Sequence, residues 1–92
     1  MRKDDFELVA SHLAHYCELR AERLEANALA LRWQTKPLIS NQISFNDDLL
    51  ELFKLQGISS DVISDSRRRI ICCQDRLFLL MDQVIEDQEV TA

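Results

Sequence analysis

Glycine and proline each occur once in this chain, as Gly57 and Pro37. β-Sandwiches, barrels and Rossmann-type sheets need many tight turns and close backbone approaches, so such a chain is confined to helices. A length of 92 residues suits one domain, taken here as residues 1–92. Hydrophobic residues make up 47% of the sequence and charged residues 29%, a globular balance too apolar for disorder along its whole length. The expected class is all-α.

Two breaks divide the chain into three predicted helices. The first spans about residues 4 to 35. Asp4, Asp5 and Glu7 favour its positive dipole end, and Pro37 stops it because the residue before a proline is pushed out of the α region. Ala10, Cys17, Leu24 and Leu31 recur every seven residues, with Phe6 and Leu13 on the neighbouring row and Ala14, Ala21 and Ala28 as a second series. Small residues in such a row let a partner helix approach closely. From Ala26 to Trp33 nearly every face is apolar, which predicts cover on several sides.

Thr35 to Ser44 reads as a linker, and a short second helix as about residues 45 to 56. Ser44 is its expected N-cap with Asp47 three residues on, and Gly57 its C-cap followed by a hydrophobic contact from Ile58. The third helix, capped by Ser59 or Ser60, is expected over about residues 60 to 87, with a frayed polar tail at 88–92. In it Ile63, Ser66, Ile70, Cys73, Leu77, Leu80 and Val84 alternate three and four apart, the rhythm of a coiled-coil seam. The simplest assembly is a long antiparallel hairpin of the first and third helices, each about 45 Å long, with the short helix near the connecting end. A lone hairpin buries little, so self-association or a partner helix is expected to complete it.

Eleven Lys and Arg against sixteen Asp and Glu give a net charge of −5. That balance disfavours nucleic acid and anionic membrane as main partners. The longest apolar run, Leu77 to Met81, is too short to span a bilayer, and Asp4, Asp5 and Glu7 interrupt any secretory leader. Three cysteines (Cys17, Cys72, Cys73) form no evident disulfide framework, so a reducing cytoplasm is expected.

Chemistry has few footholds. His12, His15 and Cys17 lie close in sequence, but their spacing is no known zinc pattern, and Cys17 and Cys73 fall on predicted seams where cysteine acts as a small hydrophobe. There is no Gly-rich phosphate loop, nucleophile elbow or Glu-x-x-His pair. No catalytic residue, metal or cofactor is expected.

The run from Leu52 through Gly57 to Ser64 resembles the core of a DNA-binding helix-turn-helix, with Arg67, Arg68 and Arg69 placed to reach phosphates. It departs from that motif in bulky Phe53, in Asp61 and Asp65 on the would-be recognition helix, and in that helix's length. A plain corner between two helices is the simpler reading. The same arginines also suit an anchor for an acidic partner.

The surplus apolar side of helix three (Ile71, Leu79, Met81, Ile85) and the end of helix one (Leu29, Trp33) are the candidate partner-binding surface. Trp33 and Tyr16, the only residues of their types, equally suit interface or core. The functional expectation is a small acidic, non-catalytic adaptor, regulator or chaperone-like factor that binds another protein, itself or both by helix–helix capture. The alternative is a divergent helix-turn-helix DNA-binding regulator.

Overall fold

The seven-residue rhythm of the last segment folds as one helix, α3 (Asp61–Thr91), in the computed structural model. Two helices precede it, α1 (Lys3–Leu31) and α2 (Lys36–Gln56), joined by a 3₁₀ turn over Arg32–Thr35. The structure describes the backbone of residues 3–57 and 60–91 and the side chains of residues 5–30, 34–57 and 60–85. No strand occurs among the described residues, and the all-α class with three helices stands.

The boundary at Gly57 forms as its chemistry requires. Gly57 has φ 77° and ψ 163°, a region essentially reserved for glycine, and its N–H closes the last turn of α2 on Phe53 O at 3.0 Å. Ser60 caps α3, its Oγ accepting the Ile63 N–H at 3.2 Å. The contact expected of Ile58 falls outside the described residues.

The first boundary differs from expectation. Pro37 does not terminate helix one; it sits in the first turn of α2, where a missing N–H costs nothing. The expected linker from Thr35 to Ser44 is helical, so α2 has 21 residues instead of the short helix at 45–56, and Ser44 is an exposed mid-helix residue instead of an N-cap. The helical backbone of α3 also runs through the expected tail to Thr91.

Each helix contributes a buried row with three-and-four spacing. On α1 it is Ala10, Ala14, Cys17, Ala21, Leu24 and Ala28; on α2, Ile39, Gln42, Asn46, Leu49 and Phe53. On α3 the seven residues from Ile63 to Val84 that define the predicted seam are all buried. Together with Phe6 the apolar members make one core cluster, and the Phe6 and Phe53 rings meet edge-on with centroids 5.4 Å apart.

Directions follow from which residues meet. Arg69 pairs with Glu18 and Arg76 with Glu25, an advance of seven on both helices, so α1 and α3 run parallel. The expected antiparallel pairing of these helices is therefore corrected. Between α1 and α2 the matches run oppositely, Cys17 with Asn46 and Arg20 with Gln42. Thus α2 returns the chain antiparallel and lets α3 lie alongside α1 in the same sense. The result is a rod of 51 × 19 × 17 Å with a radius of gyration of 14.9 Å, against about 12 Å for a compact chain of this length.

A polar layer crosses the middle of this rod. Asn46 Oδ1 accepts hydrogen bonds from Gln42 Nε2 at 2.9 Å and from the Cys17 thiol at 3.2 Å, and Asn46 Nδ2 donates to Gln74 Oε1 at 2.9 Å. Gln74 Nε2 donates in turn to Ile43 O at 3.0 Å and Asp47 Oδ1 at 2.8 Å. Asn46, Gln42 and Gln74 are all buried, and no buried side-chain polar atom among the described residues lacks a partner. Asn46→Leu takes the partner from Gln42 Nε2, Gln74 Oε1 and the Cys17 thiol and is expected to lower stability by about 1–3 kcal/mol in urea unfolding. Replacing Gln42, Asn46 and Gln74 together by Leu should recover most of that loss. Unchanged stability in Asn46→Leu would show that the layer contributes nothing.

Candidate functional site

The alanine row of α1 leaves the far end of the α1/α3 seam shallow. Ala28 of α1 with Leu80 and Val84 of α3 lines a groove of roughly 370 Å³ that is open along one side. Leu29 and Leu79 form part of its lining, together with Glu25, Arg76 and Gln83. The two leucines are 87% and 65% exposed. Of the stretch from Ala26 to Trp33 expected to be covered on several sides, the described residues 26–30 have only Ala28 buried, while Ala26, Leu29 and Ala30 lie in the open.

Of the candidate partner-binding residues, the structure therefore brings Leu29 and Leu79 together. Met81 does not belong to that surface, because it is half-buried and packed against the core. Ile71 and Ile85, also half-buried, lie on the other flank of α3, beside the row of Gln74 that faces α2. Exposed Phe78 stands between them at the same seven-residue spacing. The Trp33 side chain lies outside the described residues.

A second exposed apolar area escaped the sequence reading. Leu38, Phe45 and Leu52 recur every seven residues along α2 and are all exposed, and Phe45 meets Tyr16 of α1 with ring centroids 5.9 Å apart at 73°. Its signal was present in that spacing, but only for a helix that begins at Lys36.

The arginine triplet splits three ways. Arg69 Nε donates to Glu18 Oε2 at 3.1 Å and its Nη2 to the other carboxylate oxygen, a bidentate clasp across the α1/α3 seam. Arg68 pairs with Asp65 on its own helix, and Arg67 is exposed. The corner at Gly57 does not have a helix-turn-helix crossing. Asn46 and Gln74, eleven residues before and seventeen after Gly57, still share a hydrogen bond, so α2 and α3 lie side by side; helices near right angles would have diverged.

Electrostatics separate the thiols. Burial, then Cys73 and Glu18, push the Cys17 thiol up to about 12, and burial raises Cys73 as well. Cys72 is exposed. His12 and His15 are exposed while Cys17 points into the core, so these sequence neighbours do not converge on one ion. Among the described residues no group of three His, Cys, Asp or Glu is placed to hold a metal, and no helix is long and apolar enough to cross a membrane.

No family model, no curated protein and no solved structure matches this chain.

Two outcomes follow from these environments. At pH 8 a thiol reagent should titrate Cys72 rapidly and reach Cys17 and Cys73 only with unfolding; three equally fast thiols would contradict the burial of the seam. The hydrogen bonds from Arg69 hold the Glu18 carboxyl below the usual carboxylate range. Because the folded value is the lower one, the stabilisation is complete above the unfolded carboxyl's titration near 4.3 and is lost as pH falls through the folded value. Glu18→Gln should thus be less stable than the native chain at pH 7, by up to about 1 kcal/mol for so solvent-accessible a pair, with the difference vanishing in acid. A difference independent of pH would exclude this origin.

Proposed function

We propose that this protein is a non-catalytic adaptor or chaperone-like regulator that holds an amphipathic helix of another protein in the α1/α3 groove. The observation that carries the reading is the pair of leucines, Leu29 and Leu79, left in the open on a trough with an alanine in its lining. Single exposed leucines are ordinary, but two large apolar residues on facing helices over a shared depression mark a place where a third helix gains burial from both. The groove's size suits one or two large side chains from a partner's apolar face, spaced three or four apart. Glu25 and Arg76, ion-paired on the rim, add polar contacts that select register. The net charge of −5 favours encounter with a basic partner.

The test uses Leu29→Asp and Leu79→Asp, exposed positions at which helicity by circular dichroism should not change. The native chain should retain a stoichiometric second protein from a nuclease-treated extract of the producing cell, and each variant should lose it at least tenfold. Retention by both variants would remove the groove from consideration. Recovery of DNA alone when nuclease is omitted would replace the reading with nucleic-acid binding.

A further inference from the structure

We propose that a second copy of this chain docks on the α1/α2 face, antiparallel to the first, about a two-fold axis at the level of Tyr16 and Phe45. Four observations combine. Val9 and Tyr16 of α1 lie beside Leu52 and Phe45 of α2, and Leu38 continues the stripe, each residue at least 39% exposed. The Tyr16–Phe45 ring pair gives the stripe a rigid aromatic centre, of the residue types that anchor interfaces. From Leu38 to Leu52 the stripe runs about 21 Å along α2 at 1.5 Å per residue. Two helices wide, it offers on the order of 600 Å² per copy, within reach of the smaller stable interfaces.

Charge selects a second copy and fixes its direction. Asp5 flanks the Val9/Leu52 end of the stripe and exposed Arg23 the Leu38 end, with Asp48 between Phe45 and Leu52. Reversing one copy about Tyr16 and Phe45 sets Arg23 against Asp5 of the other, twice by symmetry, with Leu38 over Leu52 and Asn41 opposite Asp48. A parallel arrangement would lay α1 over α2, setting Arg23 over Leu38 and Asp5 over Gln56, and would form neither ion pair. The stripe is complementary to itself in one orientation only. This surface is separate from the α1/α3 groove, so the two proposals stand or fall independently.

The experiment is sedimentation equilibrium of the full chain from about 5 to 200 μM, concentrations chosen to bracket the affinity of a small interface. The native chain should populate a dimer within that range, and Phe45→Glu should be monomeric throughout with unchanged helicity. Arg23→Glu alone and Asp5→Lys alone should each weaken the dimer at least fivefold, and the two together should restore it. Leu79→Asp should leave it intact. A monomeric native chain, a dimer that survives Phe45→Glu, or an exchanged pair no better than the single variants would each overturn the proposal. Should Phe45→Glu lose helicity, the charge exchange decides alone, since both positions are exposed and carry none of the core.

Discussion

The hydrogen bonds of Asn46 hold the three helices to one register. Apolar rows with three-and-four spacing pack at several offsets with similar burial, because sliding by seven residues presents another row of the same kind. An amide that must satisfy Cys17 on α1, Gln42 on its own helix and Gln74 on α3 has one solution. Any slip would leave several buried polar groups without partners, each costing more than a displaced methyl group. The layer therefore acts mainly through what it excludes, and the apolar contacts on either side supply the bulk of the stabilisation.

With α2 placed, the rest of the architecture follows. Two parallel helices in one chain need a connection that travels back along the seam they share, and α2 with its 21 residues is that connection. Its own buried face then closes the third side of the core. The clasps of Glu18 with Arg69 and Glu25 with Arg76 lie along the edge where α1 and α3 meet, recurring at one heptad's distance. They are half-exposed and individually modest, and serve chiefly to keep like rows level.

The legible parts of the sequence were those with unambiguous local chemistry. Seven residues of α3 alternate without interruption, and all seven are buried. Gly57 and Ser60 mark their boundary because one supplies a backbone region closed to other residues and the other a side-chain acceptor. The first half of α2 was illegible for an equally physical reason: Gln42 and Asn46 occupy core positions, so Ile39 to Phe53 reads as a polar linker followed by a short apolar run. Pro37 deepened the error, since proline punctuates a helix start as well as a helix end. Helix direction was hidden because a heptad row reads alike in either sense; it emerges only from residue pairs 51 apart. Of the candidate partner surface, Leu29 and Leu79 were visible as surplus apolar residues. Met81 was indistinguishable from them until its neighbours were known.

The parallel pairing also sets an order of assembly. Hydrogen bonds within the α2/α3 hairpin and between α1 and α2 close loops of 22 to 31 residues, whereas those between α1 and α3 span 51. Loop entropy disfavours the longer closure by roughly 0.5 kcal/mol, and α1 has the smaller side chains to offset it, four alanines and a cysteine on its buried row. The α2/α3 hairpin, with Phe53, Leu49, Ile63, Ile70 and Leu77, holds most of the bulky core. Once closed, however, the α1/α3 seam is the most closely packed of the three, because the alanines let the two backbones approach. Withdrawing α1 would uncover Cys17, Asn46 and the α1-facing side of α3 together, so the protection of amides along α1 measures the integrity of that seam.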